Sequence, residues 1–341
     1  MTEPKQPSLL DYLDGLTRHL AAQLSAALLA GEVSAVHQSR VATRRMGAAM
    51  RLLGPVVDRS KRKKLERSLK KMRRRLGNLR DLDVMMDHLA ELRVSAPCPN
   101  AIDWMQNQIT QERDRAQREA TDDIPLYKTL GQLEQWRLVR GEVQNAGDTI
   151  DHLIAQSLHE QMEAFARSAD AIATPTPAEP DHASLVDEHR DPQEHRPDPH
   201  DVRIAGKSLR YTFEMADAAG HALPTKVHKS FKNMQDALGK WHDFVVLTES
   251  IMKRAADQML AHHDLPLQVE VLQLATHVLL IAQKQLEKFN RQWREHSQKL
   301  QAAVRDAFPV IRDAAGISVT SPQTDPDPSG SPTSADPAEV P

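Results

Sequence analysis

The sequence predicts an all-α protein whose two helical-bundle halves are related by a duplicated unit. Three observations lead there. Apolar residues return every three to four positions over most of the 341-residue chain, and no convincing two-residue alternation marks a strand. Glycine is scarce, at 13 residues, too few for many tight hairpins or a Gly-rich nucleotide fold. Two blocks of sequence also recur in the same order about 163 residues apart.

In the first half Leu9, Leu13, Leu16, Leu20, Leu24 and Leu28 form one helical stripe. Ala42, Met46, Ala49 and Leu53 form a second, and Leu65, Leu69, Met72, Leu76 and Leu79 a third. A stretch at 170–199 with six prolines and eight acids reads as an acidic linker. Beyond it Val227, Phe231, Met234, Leu238, Trp241 and Val245 restore the helical period, and 267–300 continues it. Residues 318–341 carry almost no large apolar side chain and cannot offset their ordering entropy, so a disordered tail is expected. The expected folded domain is therefore 9–310: a first half at about 9–169, the linker, and a second half at 200–310.

HQSRVATRRM at 37–46 aligns with HDVRIAGKSL at 200–209, matching His37 to His200, Arg40 to Arg203, and Arg44 to Lys207. LKKMRRRLGNLRDLDVMM at 69–86 aligns with FKNMQDALGKWHDFVVLT at 231–248, with Lys70/Lys232, Gly77/Gly239 and Asp81/Asp243 identical.

The net charge of −3 conceals an asymmetry. From His37 to Arg80, sixteen Lys and Arg stand against Asp58 and Glu66, a local charge of +14. On a helical wheel His37, Arg40, Arg44 and Arg51 share an arc of about 60°, and His200, Arg203, Lys207 and Arg210 one of about 80°. Lys63, Arg67, Lys70 and Arg74 lie opposite the third apolar stripe, with Lys71 beside them. Their second-half counterparts, Lys226, Lys229 and Lys232, are sparser. Like charges spaced i, i+4 destabilise an isolated helix, so a run this one-sided implies an anionic partner.

Other chemistry is poorly represented. Cys98 is the single cysteine, which excludes an internal disulfide framework and a multi-Cys zinc site. His182, His189, His195, His262 and His263 lack an i, i+4 pairing with a carboxylate, so no metal site is expected. Asp81 and Asp243 read as structural partners of core arginines, and Tyr211 as a side chain packed beside the cations. His37 and His200 are either donors to an anion or residues that cap and pack their helices. Neither a signal peptide nor a membrane span is expected, the longest apolar run being that around Val278–Ala282. No cofactor is implied.

HQSRVATRR (37–45), LGNLRDLDV (76–84), HDVRIAGKSLRY (200–211) and MQDALGKWHD (234–243) resemble the CHAD family, the conserved histidine α-helical domain. The resemblance implies two bundle-like halves in pseudo-twofold relation around a basic groove or pore. It further implies non-enzymatic binding of inorganic polyphosphate and location on cytoplasmic granules. Carried over by position, the binders would be Arg40, Arg44, Arg45, Arg203, Lys207 and Arg210, joined by the helix lysines. Polyphosphate offers a charge per phosphate and no bases to read, which suits fixed cations without aromatic platforms. Aromatics are 4% of the chain. The alternative is a helical nucleic-acid-binding protein using the same tract, since a polycation binds any phosphate backbone.

Overall fold

The computed structural model describes residues 8–122, 126–173, 198–259 and 264–309. The expected tail at 318–341, nearly all of the expected linker, and His262 and His263 lie outside them. Among the described residues every regular element is a helix.

The chain enters α1 (Leu9–Ser25) through a capping box in which Ser8 and Asp11 satisfy each other's backbone donors. A π-helical turn, Ala26–Ala30, carries it to Gly31, whose φ of 61° turns the backbone into α2 (Val33–Leu52). A side chain at Gly31 would collide with that of Gln117, while its carbonyl accepts from Arg113. Asp58 caps α3 (Arg59–Arg75) through the Lys61 N–H. Then α4 (Gly77–Leu92), α5 (Pro99–Asp122), α6 (Leu126–Leu133), α7 (Gln135–Asn145) and α8 (Thr149–Ala173) complete the first half. α8 continues four residues into the stretch read as linker, because Asp170 accepts from the Trp293 indole and the Ala173 carbonyl from Arg294. In the second half, Asp198 and Pro199 start α9 (Pro199–Ala218), followed by α10 (Thr225–Met259) and α11 (Leu265–Ala307).

The apolar stripes fill one continuous core. Leu13, Leu20, Leu24, Met46, Met50 and Leu53 pack an aliphatic interior where α1 meets α2. Aromatic edges join α8 to the helices that follow it, with Phe165 of α8 set edge-on to Phe231, Phe289 and Trp293, and Phe231 to Phe213 of α9. α2 and α9, the two helices with cationic faces, pack against each other.

Two features depart from the sequence reading. The Leu65–Leu79 stripe spans two helices, because the chain breaks at Leu76 between α3 and α4, whereas the second-half block lies within the unbroken α10. The first 18 residues or so of α11 are also long and apolar enough to cross a membrane by length and composition, contrary to expectation, with 28% of the stretch buried. Glu270 is their only Asp, Glu, Lys or Arg, and it caps α5 by accepting from the Asn100 and Ala101 N–H groups. α11 packs against α10, α8 and α5.

Candidate polyanion-binding site

The break at Leu76 shapes the first-half side of the site. It frees the Arg73 carbonyl, and the Arg40 guanidinium of α2 donates to it at 3.0 Å. A Cβ on Gly77 would stand 3.1 Å from Arg40 Nη1, so glycine leaves the guanidinium room. Arg40 also reaches Asp81 at 3.5 Å. Its side chain is 10% exposed and that of Asp81 is 61% exposed. Burial lowers the Arg40 pKa to about 10, with Arg44, Arg73 and Arg80 adding to the fall and Asp81 opposing it.

On α9, Arg203 and Lys207 face the same place. Lys207 is half-buried, and its pKa falls to about 7. Burial is the largest cause, followed by the charges of Arg203, Arg44 and Arg40, with Asp243 opposing. Burial and Arg44 also lower Arg203, whose Nε is buried without a hydrogen-bond partner. Arg44 and Arg40 lie on α2 and Lys207 and Arg203 on α9, so the cations of α2 disfavour the charges on α9. No carboxylate lies within ion-pair distance of Arg44, Arg203 or Lys207 among the described residues.

Histidines and acids line the same cluster. His37 is pushed below its ordinary pKa by burial and then by Arg80 and Arg44. His242, whose ring centroid is 5.1 Å from that of His200, is lowered to about 4 by burial and Arg203, which keeps it neutral at physiological pH. Burial works against the Asp243 charge, but His88, Arg203 and His242 outweigh it and hold the carboxyl below the usual range. His88 stacks on Phe244 at 4.5 Å, behind Asp243.

The remaining cations predicted as binders divide into two groups. Arg45 makes a bidentate pair with Glu214 of α9, at 2.6 and 3.0 Å, and Arg210 joins it at 3.2 Å. Tyr12 donates to the same carboxylate at 3.3 Å, and Arg51 lies near Tyr211 and Glu66. Burial disfavours the Arg45 charge, but Glu214 outweighs it and raises its pKa. Arg45 and Arg210 are therefore engaged in tying α1, α2 and α9 together. Outside this knot, Lys63, Arg67, Lys71 and Arg74 are exposed on α3 and Lys70 is half-buried there. Lys226, Lys229 and Lys232 are exposed on α10, with Lys232 paired to Asp236 at 2.9 Å. Sequence reasoning missed Arg80 and His242 as members of the central cluster and Glu214 as the acid that claims Arg45. The first two stand at equivalent places beside Asp81 and Asp243, which was the available signal; Glu214 follows Arg210 by one helical turn.

Among the described residues, no three His, Cys, Asp or Glu side chains are placed to hold a metal ion. Cys98 is buried and unpaired with another cysteine, its Sγ 3.9 Å from Gln273.

A model of the CHAD domain matches residues 11–252. The chain belongs to the CHAD family. A crystal structure of the CHAD domain from the plant Ricinus communis superposes with a TM-score of 0.54 at 19% identity, covering 91% of this chain and 95% of that one. PptA from Streptomyces chartreusis is similar at a TM-score of 0.48 and 17% identity, over 84% of this chain and 99% of that one. No curated protein sequence matches.

Proposed function

We propose that this CHAD protein binds inorganic polyphosphate, without chemistry, along a basic groove to which the two repeat-related halves contribute equivalent cations. One observation carries the reading: burial and neighbouring cations, Arg44 among them, disfavour the charges of Arg40, Arg203 and Lys207, and the Arg203 Nε is unpartnered. Confining like charges in a partly buried place costs stability, and a polyanion relieves that cost by neutralising several at once. Arg forks and a Lys point charge suit a chain of phosphates with no other feature to read.

In this reading Arg44, Arg203, Lys207 and the accessible edge of Arg40 make the central contacts, with His37 and His200 at the margins. Lys63, Arg67, Lys70, Lys71 and Arg74, and Lys226, Lys229 and Lys232, extend the field along which a long chain runs. Arg45, Arg51 and Arg210 brace the helices beneath. The segment at 174–197 and the tail contribute no cations that binding requires, and the protein resides on polyphosphate granules. Competition at matched phosphate concentration tests the reading: long-chain polyphosphate should displace a labelled polyphosphate far better than single- or double-stranded DNA at two salt levels. Equal displacement by DNA would move the nucleic-acid alternative ahead.

A further inference from the structure

The two halves treat their equivalent arginines differently. In the first half Arg40 is engaged on three sides: it donates to the Arg73 carbonyl, reaches Asp81, and brings Nη1 to 3.1 Å from where a Gly77 Cβ would stand. By the repeat alignment those three positions become Gln235, Asp243 and Gly239 around Arg203. None of them is used in the same way. α10 runs unbroken through this stretch, so the Gln235 carbonyl stays in the helix ladder. Among the described residues Asp243 stands 3.9 Å from His88 and makes no ion pair with Arg203, whose Nε is buried without a partner. A Cβ on Gly239 would meet nothing within 4 Å among the described residues, so the room that Arg40 fills beside Gly77 is open here.

A second unpartnered donor belongs to this place. Gln235 is 6% exposed, and its Nε2 has no hydrogen-bond partner. Its carboxamide lies against Gly206 of α9, where a Cβ would collide with Nε2. Gly206 follows Arg203 by three residues, so the two are neighbours on the helix surface, and it adjoins Lys207. On α10, Gln235, Gly239 and His242 share an arc of about 60°, and the charges of Arg203 and Lys207 both act on His242. Burying donors without acceptors is costly, and an oxyanion seated beside Gly239 supplies acceptors for both. We propose that Arg203, Gln235 and Lys207 anchor one phosphoryl group beside Gly239, in a subsite that the first half lacks. Resting on the polyphosphate reading, this anchor places the firmest grip on the chain in the second half. Arg203 supplies a charged donor, Lys207 a point charge and Gln235 a neutral donor, a set that matches the several acceptor oxygens of a phosphoryl group. Asp243 acts on the same two cations and offsets one of them. Arg44 and the accessible edge of Arg40 then serve the chain as it continues, so a short oligophosphate needs the second half alone.

Isothermal titration calorimetry of the full-length chain at pH 6, with tripolyphosphate and separately with long-chain polyphosphate, reads the anchor. The wild type should bind both. Gln235→Leu removes a donor and no charge. It should weaken tripolyphosphate on the order of tenfold while leaving the slope of log affinity against log salt unchanged. Thermal unfolding should show its ligand-free form as stable as wild type or more so, because the lost donor is unpartnered there. Gly206→Ala pushes the carboxamide aside and removes no donor, so it should reproduce the affinity loss, which keeps the test valid if Gln235→Leu misfolds. Arg203→Lys should weaken tripolyphosphate more than Arg40→Lys, although both keep the charge. Wild-type tripolyphosphate affinity in folded Gln235→Leu or Gly206→Ala overturns the anchor, as does equal loss in the two arginine variants. A wild type that binds long-chain polyphosphate but not tripolyphosphate overturns the anchor alone, whereas one that binds neither overturns the functional reading with it.

Discussion

Lys207 makes the proposed polyphosphate binding depend on pH near neutrality. Its ammonium, crowded by Arg203 and Arg44 and partly buried, titrates at about 7 in the free protein. Phosphate oxygens beside it favour the charged form and carry its pKa upward on binding. At pH 8 about nine-tenths of free molecules hold Lys207 neutral, so binding takes up about 0.9 of a proton. Affinity should then fall about tenfold for each pH unit above 7, since one pKa unit corresponds to about 1.4 kcal/mol. Below pH 6 the lysine is already charged and its part of the slope vanishes. Isothermal titration calorimetry in buffers of different ionisation enthalpy reads affinity and proton uptake together. Lys207→Arg, charged at every pH tested, should flatten the profile and bind tighter than wild type at pH 9. Lys207→Met should be weak and flat above pH 7. If Lys207→Met keeps the wild-type slope between pH 7 and 9, the reasoning is refuted.

Four further outcomes follow from the same geometry. Lys207 has a folded pKa below its unfolded value of 10.5, so its charged form opposes folding fully below pH 7 and less as pH rises from about 7 toward 10.5. Lys207→Met should thus stabilise the ligand-free protein at pH 6 by about 1–3 kcal/mol, with the gain shrinking by pH 9, as urea unfolding would show. Glu214→Ala leaves Arg45 and Arg210 without their shared carboxylate and should cost about 2–4 kcal/mol of stability, while polyphosphate affinity measured on the folded protein stays within about threefold. Asp81→Asn removes an accessible negative charge while Arg40 keeps its bond to the Arg73 carbonyl, so fluorescence anisotropy should show several-fold tighter binding, on the scale of about 1 kcal/mol for unit charges at 4 Å in water. Asp83, buried on α4, pairs with Arg113 at 2.6 Å; Asp83→Ala strands that cation and should lower stability by about 3–5 kcal/mol in thermal or urea unfolding.

Apolar periodicity made the helices legible, because burying one stripe dominates helix placement: Leu13, Leu20, Leu24, Met46 and Leu65 are all buried. The break at Leu76 was not legible. It depends on Arg40 claiming the Arg73 carbonyl from 33 residues away, a tertiary hydrogen bond that no local pattern encodes. The cations Arg40, Arg44, Arg203 and Lys207 were legible through charge and spacing, but the division of labour among them was not. Arg45 falls beside Arg44 in sequence, yet a helical step of about 100° turns it toward Glu214 on another helix. The apolar outer face of α11 escaped notice because Gln268, Glu270, Gln273 and His277 interrupt the run in sequence.

The salt dependence of polyphosphate affinity in charge-reversed variants tests the central claim most directly. Arg44→Glu and Lys207→Glu, repeat-equivalent residues from different halves, should each lower affinity by about 1–3 kcal/mol at low salt. Each should also make the slope of log affinity against log salt shallower, in steps of about 0.7 per lost phosphate contact by analogy with single-stranded nucleic acid. Arg118→Glu, on the exposed side of α5, should change neither by a comparable amount. Wild-type affinity and slope in Arg44→Glu or Lys207→Glu, with helicity by circular dichroism intact, would contradict a track shared by the two halves.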